Sequence, residues 1–279
     1  MTENIFICPI CAAPLVRDGS TFRCGGERVH CYDVASSGYV NLLPPGKMKN
    51  AKAGDQREML RARVNFLSTG KYDKISHIIA EMIGESLPER HLTVLDAGCG
   101  EGHHICNIAE KLSCSAVGID ASKHGAEMGA KTARRRGADV SFAAGNIFSM
   151  PLSDKSVDAV VSMFAPVPAE EAARVLVDDG VLCVCASGRD HLIEMRQVIY
   201  DEVRDSFTGI KTPEGFELAK EKEIKYKVTV EGDEIKNLFT MTPFYHRSPW
   251  QGRERLAATE SLEITVNCVI HIYRKIREM

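Results

Sequence analysis

The sequence predicts an α/β chain: a mainly parallel, seven-stranded, doubly wound sheet with a small Cys-rich unit at its N-terminus. Three observations predict it. Short apolar runs at 92–96, 115–119, 140–144, 157–164 and 181–186 alternate with segments long enough for helices, which is the pattern of βαβ units. The first of these runs leads into a glycine cluster, Gly98-Cys99-Gly100-Glu101-Gly102. Of ten cysteines, Cys8, Cys11, Cys24 and Cys31 fall within the first 31 residues.

Length and composition bound the reading. The 279 residues suggest about two domains. Hydrophobic residues are 44% and charged residues 26%, which is ordinary globular composition and argues against disorder. Lys plus Arg (35) nearly balances Asp plus Glu (38), for a net charge of −3. That excludes a bulk nucleic-acid condenser and leaves room for a local basic patch. No apolar run approaches about 18 residues, so no membrane span is expected. No basic segment followed by a long apolar one is visible near Met1, so the expected location is cytoplasmic.

The elements follow in order. Residues 1–45 form the Cys-rich unit, too short to fold without a staple. Residues 46–70 start as a polar linker and turn helical; Lys47 to Lys74 holds eight basic against three acidic residues. Residues 71–90 read as an amphipathic helix, with Ile75, Ile78, Ile79, Met82 and Ile83 at helical spacing. The remainder of 71–279 is the sheet domain. A helix is expected from Asp190 to about Ser206, a strand at 224–230, a short helix at 232–240 and a strand at 262–273. Cys183 and Cys185 share one face of a strand and read as core.

The N-terminal cysteines suggest a metal knuckle. Cys8-Pro-Ile-Cys11 is a CxxC, twelve residues precede Cys24, and His30 and Cys31 lie just beyond. Tetrahedral zinc takes four such ligands in closed structural sites. His30 and Cys31 are adjacent, so the fourth ligand stays open between them. Four protein ligands leave no open position, which makes the site structural.

The glycine loop reads as an S-adenosylmethionine site. Glycines allow a tight turn and close approach to a ligand. Asp96 stands before Gly98, as in the ExGxGxG form of Rossmann-like class I methyltransferases. The next strand ends in Asp120, which offers a carboxylate to a ribose diol. The third is followed by Asn146, whose amide can meet an adenine. A dinucleotide site would want another glycine near 103, where His103 and His104 stand.

Together these parts resemble the bacterial 23S ribosomal RNA (guanine-N1)-methyltransferases of the RlmA type. The resemblance rests on CPIC at 8–11, HCYDVASSGYVNLLP at 30–44, GD at 54–55, VLDAGCGEG at 94–102, GIDASK at 118–123, FAP at 164–166, HLIEMR at 191–196 and MTPF at 241–244. It implies transfer of a methyl group from S-adenosylmethionine to N1 of a guanine in a hairpin loop of 23S rRNA. It implies zinc held by Cys8, Cys11, Cys24 and His30, although five residues separate Cys24 from His30 where the family usually has three. It further implies that Tyr72, Gly100, Glu101 and His191 line the cofactor site, and that the protein is a homodimer.

Other candidates come from position alone. Lys47, Lys49, Lys52, Arg57, Arg61 and Arg63 would track phosphates, and Tyr32 and Tyr39 would stack on loop bases. Phe164 would stack on a flipped base. Asp158, Glu170 and Asp190 lie near strand ends where a proton acceptor for N1 is needed, and none is singled out. Two other readings compete. A small-molecule methyltransferase leaves the knuckle unexplained. A zinc-dependent RNA-binding protein without catalysis leaves the intact glycine loop unexplained.

Overall fold

The computed structural model describes residues 5–44, 57–203 and 208–276; Lys47, Lys49 and Lys52 lie outside them. The chain opens with three short antiparallel strands, β1 (Leu15–Asp18), β2 (Thr21–Cys24) and β3 (Cys31–Asp33). A two-residue strand, β4 (Val40–Asn41), follows. Two helices come next, α1 (Arg57–Leu67) and α2 (Asp73–Gly84), with alternating elements after them: β5 (Thr93–Ala97), α3 (His103–Leu112), β6 (Ser115–Asp120), α4 (Lys123–Arg136) and β7 (Val140–Ala144). β8 (Val157–Met163), α5 (Ala169–Val175), β9 (Leu176–Ser187) and α6 (Ile193–Ile199) continue the pattern. The C-terminal part holds β10 (Phe216–Glu231), α7 (Asp233–Thr240), α8 (Phe244–Arg247), α9 (Trp250–Ala257) and β11 (Ser261–Lys275).

The large sheet runs β10-β11-β9-β8-β5-β6-β7-β4. β9, β8, β5, β6, β7 and β4 are parallel in turn, while β11 is antiparallel to β9 and β10. All seven expected strands are present. The eighth is β4, which leaves the Cys-rich segment and pairs Val40 with Ala143 and Asn41 with Ala144 of β7. The knuckle is therefore not a bead on a string. Phe6, Leu15, Phe22, Val40 and Leu42 share one buried cluster with Val117, Ile119 and Ala143 of the sheet.

β5, β6 and β8 are buried almost throughout, with one half-buried residue at the start of β5 and one at the end of β6. Parallel strands covered by helices on both faces need such continuous apolar runs. From β5 the chain steps outward to β6 and β7, then returns to the other side of β5 as β8. Ligands of open α/β sheets bind at that reversal, outside the carboxyl ends of the strands. The glycine loop after β5 and the Phe164 turn after β8 flank it.

Three boundaries differ from expectation. The helix placed at 71–90 is α2, and it ends at Gly84. The helix expected from Asp190 to Ser206 is shorter: α6 stops at Ile199, and Tyr200 is extended. The strand expected at 224–230 is the middle of the long β10, whose pairing with β11 carries it from Phe216 to Glu231. No helix among the described residues is long and apolar enough to cross a membrane.

Candidate functional site

A cavity of about 1060 Å³ opens at the reversal. Its lining includes Tyr72, Asp96, Gly98, Glu101, Asp120, Asn146 and His191. These are seven of the eight residues expected at the cofactor site; the eighth, Gly100, lies in the loop between them. Gly98 has φ +95°, and a Cβ there would stand 2.9 Å from the Ala165 Cβ. Gly102 has φ +79°, and a Cβ there would strike the Phe142 ring. The loop thus needs glycine for both its backbone twist and its close packing.

Asp120 holds this loop in place. Gly100 N–H donates to Asp120 Oδ2 at 2.9 Å, and Ser122 N–H donates to Oδ1 at 2.7 Å. Asn146 Oδ1 accepts from Phe148 N–H at 3.0 Å, so its orientation is set. Asp96 is 3% exposed and its Oδ1 has no hydrogen-bond partner. Burial, with Asp120 and Glu101 adding repulsion, pushes its carboxyl up to about 8. The buried Tyr72 hydroxyl also lacks a hydrogen-bond partner. Buried polar atoms left so are costly, and both line the same cavity. A ligand with donors and acceptors fits here.

His191 accepts the Asn267 N–H on Nδ1 at 3.2 Å, which leaves Nε2 as the protonated nitrogen. Its ring stacks on Phe164, with centroids 6.0 Å apart, and meets Tyr72 edge-on at 6.1 Å. Phe164 has φ +51° and is 46% exposed. A non-glycine aromatic in that backbone region at a cavity rim is a strained position of the kind found at ligand sites. The cavity lining also includes the apolar Phe148, Pro166, Ile210, Pro243 and Phe244.

None of Asp158, Glu170 and Asp190 lines the cavity. Asp158 sits at the opposite end of β8, where it accepts Thr93 N–H at 2.7 Å and pairs with Arg90 at 2.6 Å. Asp190 pairs with Lys225 at 2.6 Å, and Glu170 is exposed on α5. Two further cavity residues carry no cofactor signal in the sequence: His104, where a dinucleotide site would want glycine, and Arg63, whose Nε lies 3.9 Å from Glu101 Oε2. Arg57 and Arg61 are exposed on α1.

The knuckle is assembled. One donor atom each from Cys8, Cys11, Cys24 and His30 lies within 4.8 Å of the others. Cys11 Sγ is 3.7 Å from Cys24 Sγ, and His30 Nδ1 is 3.5, 3.6 and 3.5 Å from the Sγ atoms of Cys8, Cys11 and Cys24. Tetrahedral zinc with its usual bond lengths gives edges of about 3.8 Å for S–S and about 3.6 Å for S–N, so the set fits zinc. His30 takes the fourth place; Cys31 is exposed and faces Arg23 Nη1 at 3.6 Å. The Gly26 position lies against Cys11 Sγ, which a Cβ would approach to 3.1 Å. The Tyr32 hydroxyl lies 3.0 Å from Cys8 Sγ. Tyr39 is half-buried and packs against the core.

Comparison with known proteins agrees with both parts. A family described as "Methyltransferase domain" matches residues 88–241, and one described as "RlmA, N-terminal", a zinc ribbon, matches residues 6–52. Fold and site together define an S-adenosylmethionine-dependent methyltransferase with a structural zinc ribbon. A Bacillus subtilis protein provisionally named 23S rRNA (guanine-N1)-methyltransferase YxjB is 30% identical over 98% of each chain. The 23S rRNA (guanine(748)-N1)-methyltransferase of Streptomyces fradiae is 29% identical over 96% of this chain and 95% of its own. The chain belongs to this family, the RlmA-type 23S rRNA (guanine-N1)-methyltransferases. A structure provisionally named a type II methyltransferase, from Anaeromyxobacter dehalogenans, shares the fold at TM-score 0.52 and 16% identity, covering 72% of this chain and 97% of its own.

Proposed function

We propose that the protein methylates N1 of a guanine in a hairpin loop of 23S ribosomal RNA, using S-adenosylmethionine. The observation that carries the reading is one cavity lined both by the acidic Asp96, Glu101 and Asp120 and by the apolar Phe148, Phe164, Pro166 and Phe244. A cation-bearing nucleoside suits the acidic groups, and a flat base turned out of its stack suits the apolar ones.

The cofactor supplies an electrophilic methyl on sulfonium sulfur. The rest is alignment by the chain, because a displacement of this kind is governed by the placing of its reactants. Asp120 would accept from the ribose diol while anchoring Gly100, and the Asn146 amide would meet the adenine edge. Asp96 would face the cofactor's ammonium group, and Tyr72, Gly98, Gly100, Glu101 and His191 would complete the cofactor wall. Phe164 would stack on the guanine. Cys8, Cys11, Cys24 and His30 would hold the zinc that shapes the ribbon, and exposed Arg57 and Arg61 would contact phosphates. Action on ribosomal RNA places the work in the cytoplasm. The homodimer implied by the family resemblance belongs to the same proposal, and light scattering of the purified protein reads it.

The test is nucleoside mass spectrometry of unmodified 23S rRNA after incubation with protein and S-adenosylmethionine. The reading predicts 1-methylguanosine. Methylation of a small molecule, with unchanged RNA, would replace it by the metabolite-enzyme reading.

A further inference from the structure

His104 has no assigned role, yet it lines the cavity beside Tyr72, Glu101 and Arg63. Its ring is held by a chain of hydrogen bonds that starts at the far side of α3. Arg136 Nη2 donates to Asn107 Oδ1 at 2.6 Å. Asn107 Nδ2 donates to Asp73 Oδ1 at 3.0 Å and to Ser76 Oγ at 3.2 Å. Arg136 only donates and the Asp73 carboxylate only accepts, so the Asn107 amide has one orientation. Ser76 Oγ lies 2.8 Å from His104 Nδ1.

Ser76 is fully buried. Its oxygen receives the Asn107 hydrogen, so its own hydrogen goes to His104 Nδ1. The opposite tautomer would strand a buried hydroxyl hydrogen without an acceptor. Nδ1 is therefore the acceptor and Nε2 carries the proton. Burial, followed by His103 and Arg63, drives the imidazole down to about 3, so the ring stays neutral. Nε2 is not among the sealed, partnerless buried atoms, and among the described residues it has no hydrogen-bond partner.

We infer that His104 is a cofactor-positioning residue whose Nε2–H, fixed by the Arg136–Asn107–Ser76 relay, donates to the carboxylate of the amino-acid part of S-adenosylmethionine. The inference rests on the proposed cofactor site and adds this subsite to it. Three observations select the carboxylate. Asp96, Glu101 and Asp120 suit the cofactor's ammonium and hydroxyl donors and repel its anion. The same cavity also holds donors: His104 Nε2–H, the partnerless Tyr72 hydroxyl and the Arg63 guanidinium, whose charge reaches the His104 ring and offsets Glu101 3.9 Å away. His104 also lies in the first turn of α3, where no side chain caps the helix and the helix dipole favours an anion.

The test compares two ligands by calorimetry: S-adenosylhomocysteine, which carries the amino-acid part, and 5′-methylthioadenosine, which lacks it. His104→Phe keeps a ring and removes the donor. It should weaken S-adenosylhomocysteine about tenfold to a hundredfold, the worth of one hydrogen bond to a charged group. Its affinity for 5′-methylthioadenosine should stay within about twofold, which also shows that the variant folds. Nitrogen NMR of His104 in the wild-type protein should report the Nε2-protonated tautomer, and Ser76→Ala should release it to a mixture. Equal losses for both ligands, no loss for either, or an Nδ1-protonated ring would overturn the inference. If wild-type protein binds neither ligand, the cofactor site itself fails and the inference with it.

Discussion

Asp120 accepts the Gly100 N–H at 2.9 Å, so the end of β6 carries the loop that follows β5. One carboxylate thereby ties two parallel strands at the place where the sheet reverses. Its second oxygen takes the Ser122 N–H at 2.7 Å and starts α4. Asp120→Ala should weaken S-adenosylhomocysteine by at least about tenfold, the value of one charge-assisted hydrogen bond. Zinc content should be unchanged. Calorimetry and metal analysis read the two; unaltered affinity would detach Asp120 from the cofactor.

Asp96 gives the site a pH dependence with a defined sign. Its folded carboxyl is raised from 3.8 to about 8. A group raised in the folded state binds its proton more tightly there, so its stabilisation is full below the unfolded value and is lost as pH climbs toward 8. The ligand-free protein should therefore lose melting temperature between pH 4 and 8 relative to Asp96→Asn. S-adenosylhomocysteine affinity should rise over pH 6 to 8, because its ammonium group needs the ionised Asp96. A pH-independent affinity in the wild type would argue against that contact.

Phe164, stacked on His191 at the cavity rim, is the proposed platform for the guanine. Base–aromatic stacking contributes about 1–3 kcal/mol, so Phe164→Ala should lower kcat/KM for RNA by about tenfold to a hundredfold. S-adenosylhomocysteine affinity should hold within about twofold. A loss confined to cofactor binding would place Phe164 on the other side of the site.

The zinc ribbon is joined to the sheet through β4 and a shared apolar cluster. Cys8→Ser should abolish the zinc complement, lower the melting temperature and impair RNA binding, while cofactor binding persists. A full equivalent of zinc in that variant would remove Cys8 from the ligand set.

Arg90 tests the far end of the sheet. It pairs with Asp158 and Asp179 at 2.6 and 3.0 Å. Arg90→Ala leaves the nearly buried Asp158 with less compensation and should cost about 1–3 kcal/mol in denaturant unfolding. Cofactor affinity should not change, because this cluster lies away from the cavity.

Much of this was legible in the residues. The apolar runs fixed β5 to β9, since strands buried on both faces cannot hide their composition. Asp96, Gly98 and Asp120 were readable because the loop needs those residue types at those offsets. Less legible was whatever depends on distant contact. Nothing local marks Val40–Asn41 as a sheet edge; its partner is Ala143–Ala144 of β7. Nor does anything local mark Asp158 as the partner of Arg90 and of Thr93 N–H, or Ile199 as the end of the helix expected toward Ser206. The contact of the Tyr32 hydroxyl with Cys8 Sγ likewise has no local signal. His104 was invisible because its role follows from Ser76, Asn107 and Arg136, which come together only on folding.

The most direct measurement is primer extension on 23S rRNA lacking the modification, after incubation with the protein and S-adenosylmethionine. A methyl on guanine N1 blocks the pairing edge, so reverse transcriptase should stop one nucleotide before it. The account predicts a new, cofactor-dependent stop in a hairpin loop, lost in the Asp120→Ala and Cys8→Ser variants. An unchanged pattern from protein that binds both cofactor and zinc would contradict it.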